Sequence, residues 1–216
     1  MQVRDRDRMA QSDRVRDSFQ PRDRAEWRAW LERRHATSSG IWLIAFKQSS
    51  GKQNLSYEEA VQEALCFGWI DSRRDTLDEE RNMQLFTPRK PGSPWSRVNK
   101  RRIEQLLADG RMTPAGLAKI EAAKQDGSWS SFDAVEDLIV PDDLETALLA
   151  NPTAHAAFHA FSPSARKQLL WWVASAKRPA TRAGRIEQLV AEAAEGRNAQ
   201  DYAARRKARA AGGADP

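Results

Sequence analysis

Trp69, Asp71, Arg89, Trp95, Ser96 and Asn99 crowd into one stretch of the chain, and their types suit the binding of a small molecule. Two indole rings supply an apolar floor, Arg89 can grip a carboxylate or phosphate through paired N–H bonds, and the remaining polar groups fix orientation. A helix expected to open at Ser93-Pro94 adds backbone N–H donors. The same residues also have a plain structural account, with both tryptophans in the core, Asp71 paired with Arg89, and the serines only capping. Both accounts require convergence: two strands must pair, and the helix that follows must pack across them.

Other side chains carry chemistry in principle. Cys66 lies between Leu65 and Phe67 on an apolar helix, where a thiol behaves as a small hydrophobe. A nucleophile needs a base beside it and a lowered pKa, and the spacing of His35, His155 and His159 brings none to Cys66. His155 and His159, at i and i+4, share a helix face as zinc sites require. No Glu follows His155 in the metalloprotease manner and no acid adjoins the pair in sequence, so a surface or interhelical pair without metal is expected. No glycine-rich phosphate loop occurs, and no cofactor is expected. Arg97, Lys100 and Arg101 beside Trp95, and Arg178, Arg182 and Arg185 at i, i+4 and i+7, form basic helix faces that could track a phosphate backbone. Such faces are also commonly just solvated.

The elements that must position these residues follow from periodicity and capping. Asp23 with Glu26 opens a helix bearing Trp27, Trp30 and Leu31, and Ile41 to Phe46 is short and apolar enough for a buried strand. Ser56 with Glu59 opens a second helix, through Tyr57, Ala60, Val61 and Ala64, that ends near Gly68. Trp69–Leu77 and Asn82–Thr87 read as paired strands around a polar turn. Helices follow from Pro94 and Pro114. Beyond Asp126 the pattern is helical, with starts expected at Asp142 with Glu145, at Asn151-Pro152, at Ser162-Pro163 and near Thr181. The fold class is α+β: a small, mostly antiparallel sheet with packed helices, followed by an all-helical module. The expected organisation is a disordered leader over 1–18, an α+β domain over 19–125, an acidic linker over 126–141, a helical module over 142–197 and a basic, disordered tail over 198–216.

Composition narrows the classes. With 216 residues, 40% of them hydrophobic and eight tryptophans, the chain can bury a core without a metal or disulfide staple. No apolar run is long enough to span a bilayer, and the polar first residues lack the core of a signal peptide. A single cysteine fits a reducing cytoplasm. The net charge of +5 is unevenly spread: no acid lies between Glu80 and Glu104 or between Glu145 and Glu187, while acids crowd Asp126 to Glu145. Two basic blocks flanking an acidic one can bind a polyanion or an acidic protein surface, or can attract the acidic block within the molecule.

The segments Glu59-Ala60, Ala64-Leu-Cys-Phe-Gly-Trp-Ile-Asp71, Phe86-Thr-Pro-Arg89, Ser93-Pro-Trp-Ser96 with Asn99, Gly110-Arg-Met-Thr-Pro-Ala-Gly116 and Ala176-Lys-Arg-Pro-Ala-Thr-Arg182 together resemble the bacteriocin-protection family, also called YdeI or OmpD-associated. The resemblance runs from about Phe19 to Arg197. It implies a cytoplasmic bacterial protein linked by name to bacteriocin tolerance and to an outer-membrane porin, and it carries no catalytic residues to transfer. Combined with the charge layout, the expectation is a non-catalytic protein that binds an anionic small molecule or partner through Trp69, Asp71, Arg89, Trp95, Ser96 and Asn99. Two alternatives stand beside it: an enzyme with Asp71 as acid or base and Arg89 as anchor, and a nucleic-acid binder using the basic faces.

Overall fold

A computed structural model describes residues 17–197, so the leader and tail expectations for 1–16 and 198–216 lie outside the described residues. The chain forms two compact units that divide between Ser130 and Ser131. The first contains β1 (Ser18–Phe19), α1 (Arg24–Arg34), β2 (Ile41–Phe46), α2 (Tyr57–Cys66), β3 (Trp69–Thr76), β4 (Arg81–Pro88), α3 (Arg97–Ala108) and α4 (Pro114–Gln125). The second contains α5 (Asp133–Glu136), α6 (Asp142–Leu149), α7 (Pro152–Ala160), α8 (Pro163–Ala174) and α9 (Pro179–Ala194). The α+β class is therefore as the sequence implies. Among the described residues no helix is long and apolar enough to cross a membrane.

The sheet runs β1-β2-β4-β3, with β1 parallel to β2 and the other pairs antiparallel. Alternation along β2 and β4 divides their side chains between two faces. Trp42, Ile44 and Met83 form a small cluster on one face, with Leu77 and Leu85 packed against it. Leu43 and Phe86, on the other face, join the main core built from Trp27, Leu31, Val61, Ala64, Leu65, Trp69 and Trp95. Both sequence-read caps at the helices covering this face are present. Asp23 accepts from the Glu26 N–H at 2.8 Å, and Ser56 and Glu59 exchange hydrogen bonds as a capping box. Trp27 Nε1 donates to the Ala60 carbonyl at 3.1 Å, tying α1 to α2 inside the core.

Two glycines are dictated by close packing at the end of α2. Gly68 turns the chain with φ +72°, a left-handed conformation that side chains rarely adopt. Gly116 lies so close that a Cβ there would sit 2.3 Å from the Cys66 carbonyl oxygen. That carbonyl, one of the acceptors a helix end leaves open, is satisfied by the Thr113 hydroxyl at 2.6 Å and the Thr113 N–H at 3.2 Å.

Two starts differ from expectation. The helix after the hairpin opens at Arg97 with Ser96 as N-cap, not at Ser93-Pro94, because Trp95 is drawn into the core and the Pro94 carbonyl accepts from the Arg89 guanidinium. α6 is preceded by Pro141, with Asp142 in its first turn rather than capping it. α9 begins at Pro179, near Thr181 as expected. The unit boundary falls inside the stretch read as an acidic linker. Val135 in α5 is buried in the helical unit's core, and Phe132, Leu138 and Val140 pack against it.

The main core holds a charged centre. The Glu63 side chain is 0% exposed and meets Arg24 Nε at 2.6 Å, Arg28 Nη1 at 2.8 Å and Arg111 Nη2. Removing one partner of a buried ion cluster costs about 3 kcal/mol, whereas an exposed pair is worth roughly 0–1 kcal/mol. Glu63→Gln should therefore lower the urea-unfolding free energy by about 3 kcal/mol. Glu58→Gln, which breaks a partly exposed pair with Arg102, should cost about 1 kcal/mol or less in the same measurement.

Candidate functional site

The six residues singled out from the sequence do not line one cavity. Trp69 is core: its Nε1 donates to the His35 carbonyl at 3.1 Å and its ring meets Trp30 edge-on. Trp95 is also buried, with Trp129 tilted against it and the Arg89 guanidinium 3.6 Å from its ring centroid. This cation–π stack and the Pro94 carbonyl are what hold Arg89, which is only 5% exposed. Its Nε has no hydrogen-bond partner among the described residues. Burial pulls Arg89 down to about 10, the Asp71 charge acting in the opposite sense. Asp71 does not pair with Arg89. It accepts from the Tyr57 hydroxyl at 2.9 Å and from Gln84 Nε2 at 3.4 Å. Ser96 caps α3, and the Asn99 side-chain oxygen accepts from Arg102 at 2.7 Å. Arg89 and Trp95 do border a recess of about 50 Å³, with room for water and not for an organic ligand.

A larger cavity, about 450 Å³, lies between the sheet face and the N-terminal end of α2. That volume falls in the range typical of small-molecule sites. Its polar lining includes Lys52, Gln53, Tyr57, Arg74, Asn82 and Gln84, over a floor of Leu43, Leu55 and Phe86. Asp71 reaches this site through its two donors, Tyr57 and Gln84, which both line the cavity.

A β-bulge builds the wall. Asp71 stands opposite Phe86 and Arg74 opposite Gln84, so β3 spends three steps where β4 spends two. In a regular strand Asp71 and Arg74 would point to opposite faces; the extra residue brings both to the cavity side. It also sends Arg73 to the other face, where its guanidinium lies 5.0 Å from the Trp42 ring centroid. Arg74 is exposed and has no ion-pair partner among the described residues. Lys52 is paired with Glu80 at 2.8 Å. Desolvation, with the neighbouring Asp71 carboxylate, holds the Tyr57 phenol above its usual range, so at neutral pH it stays a protonated donor to Asp71.

Tyr57, Arg74 and Gln84 were missed as site residues because strict alternation puts Arg74 on the wrong face. The polar run Asp71-Ser-Arg-Arg-Asp75, which shows no apolar alternation, was the available signal.

Residues 137–196 match the family model described as Bacteriocin-protection, YdeI or OmpD-Associated. That match covers most of the helical unit. A second model, a domain of unknown function (DUF8412), matches residues 19–119. The two models thus divide the stretch that the resemblance treated as one, and Trp69, Asp71, Arg89, Trp95, Ser96 and Asn99 all fall within the second. No curated protein and no solved structure matches the chain.

In the helical unit the basic stripe of α9 is turned to internal use. Arg182 grips Asp143 with bonds of 2.6 and 2.8 Å, and Arg185 donates to the Trp172 carbonyl and to Ser175. Arg178 is the exposed N-cap residue of α9. On α3, Arg97 and Arg101 are exposed, and Lys100 lies 5.3 Å from the Trp129 ring centroid.

Cys66 is fully buried. Burial first, and the Glu63 carboxylate second, push its thiol above the ordinary range, so at neutral pH it is protonated and unreactive. Native protein should react with a thiol reagent no faster than it unfolds, and completely in denaturant. Rapid labelling of the native state, followed by mass spectrometry, would show instead that the end of α2 opens.

Proposed function

We propose that the chain is a cytoplasmic, non-catalytic protein of the bacteriocin-protection, OmpD-associated type, whose N-terminal unit binds an anionic small molecule in the cavity beneath α2. The observation that carries this reading is Arg74. It is an ion-unpaired guanidinium on the wall of a cavity of about 450 Å³ whose other charged lining groups are engaged, Lys52 with Glu80 and Glu59 in its capping box, and whose remaining lining is amides, a phenol, a serine and apolar groups. A guanidinium receives a carboxylate or phosphate through paired N–H bonds, and the amides of Gln53, Asn82 and Gln84 add orienting donors. Binding is favoured over turnover because the carboxylates nearby are engaged: Glu59 closes its capping box, and Asp71 is held by Tyr57 and Gln84. The single, buried, reduced cysteine suits a cytoplasmic location. Sequestering or sensing an anion is the step through which the protein serves tolerance to bacteriocins and related stress.

Calorimetric titration of the full chain with inorganic phosphate and with citrate tests the site. At least one probe should bind saturably, Arg74→Ala should weaken it by about tenfold or more, and Arg101→Ala should leave it unchanged. Absence of binding by both probes, or equal affinity in Arg74→Ala, sinks the proposal. In host cells the wild-type gene, and not the Arg74→Ala form, should restore bacteriocin tolerance to a deletion strain.

A further inference from the structure

The helical unit brings a third group to the histidine pair. His155 and His159 share one face of α7, and Glu145, on the preceding helix α6, reaches the same point. One carboxylate oxygen, Oε1, lies 3.3 Å from His155 Nε2, and the other, Oε2, lies 4.0 Å from His159 Nε2. The two rings are 4.5 Å apart between centroids. One ligand atom from each residue lies within 4.8 Å of the others. Glu145 Oε2 is buried and has no hydrogen-bond partner among the described residues. A buried carboxylate oxygen without a donor is costly unless a cation or a donor meets it.

We propose that Glu145, His155 and His159 form a binding site for a divalent first-row transition metal, with zinc as the best-fitting ion. Two imidazoles and one carboxylate are a set zinc accepts in tetrahedral geometry, at about 2.0–2.2 Å from each ligand atom. Ligand atoms at those distances from a common ion stand roughly 3.3 Å apart. The Glu145 Oε1–His155 separation already has that value, and His159 lies 4.0 Å from the other oxygen, so rotations of the carboxylate and the His159 ring are what must bring all three to a common ion.

The scaffold is firm. Leu144 and Leu148 anchor α6 in the core, and Phe158, fully buried, anchors α7 between the two histidines and packs edge-on against His159. The three ligand side chains remain about one third exposed, at 35%, 33% and 39%. Solvent can therefore supply the fourth ligand, and the ion can enter without unfolding the unit. Bound metal clamps α6 to α7 and stabilises the helical unit by mass action.

The chain's only other histidine is His35, in the first unit, and its one cysteine is buried. The test is therefore clean. Full-length protein stripped with a chelator is titrated with zinc by calorimetry, and with cobalt by absorption. One equivalent should bind, with the intense visible bands of a four-coordinate cobalt site, and zinc should raise the thermal midpoint. Even partners outside the coordination shell are worth 10–100-fold in affinity, so His155→Gln and His159→Gln should each weaken zinc by about a hundredfold or more. Glu145→Gln should do the same while retaining an oxygen that can accept from His155. Circular dichroism shows that each variant is folded. Failure of the wild type to bind zinc overturns the site, as does unchanged affinity in folded His155→Gln and His159→Gln. In either case the cluster is only a Glu–His hydrogen bond.

Discussion

The first unit depends on one buried carboxylate. Taking an ion such as Glu63 out of water costs several kcal/mol, and only near-ideal partners offset it. Here the partners are three guanidiniums. Arg24 and Arg28 come from α1, and Arg111 from the loop ahead of α4. Each arginine stays about 30% exposed while Glu63 is sealed. The cluster therefore desolvates one charge fully and three only in part, and water still screens the repulsion among the arginines. Its consequence is geometric. A carboxylate gripped from three directions fixes α2 against α1 and against the segment leading into α4, where apolar packing alone would tolerate sliding.

The site inherits that fixed placement. Because α2 cannot slide, its C-terminal carbonyl at Cys66 stays within reach of Thr113, and Gly116 can approach to a distance no larger residue permits. At the other end, Tyr57 is held where its hydroxyl meets Asp71 on the sheet. That bond joins helix to strand beside the cavity, which Tyr57 lines, so the volume beneath α2 follows from anchors near both ends of one helix.

Much of this was legible in the sequence because it rests on local rules. The Ser56–Glu59 box, the apolar strand Ile41–Phe46, the Asn151-Pro152 and Ser162-Pro163 starts and the α+β class each follow from short-range chemistry. What was not legible is what tertiary contacts override. Ser93-Pro94 is a sound cap signal, yet the core captures Trp95 and the helix waits for Ser96. The bulge in β3 leaves no alternation to read, so the account that paired Asp71 with Arg89 could not show its partners, Tyr57 on α2 and Gln84 on β4. Glu145 escaped notice beside the histidines because the loop between α6 and α7, not sequence adjacency, brings it to them.

The excess of basic residues becomes intelligible in the same terms. Several arginines that read as a possible polyanion surface act as internal struts. Arg102 grips Glu58, Arg182 grips Asp143 and holds its carboxyl below the usual range, and Arg89 lies flat on Trp95. A guanidinium suits this work because its planar fork makes two directed bonds and its face stacks on indole. An arginine already engaged has less to offer an incoming phosphate, since its own partner must first be displaced. Arg74 differs: the bulge aims it into a recess, and no acid of the described chain meets it there. Exposed charge pairs gain little because water and salt screen them. A cation on the wall of a partly enclosed cavity is screened less, so an anion gains more there than along the solvated helix faces.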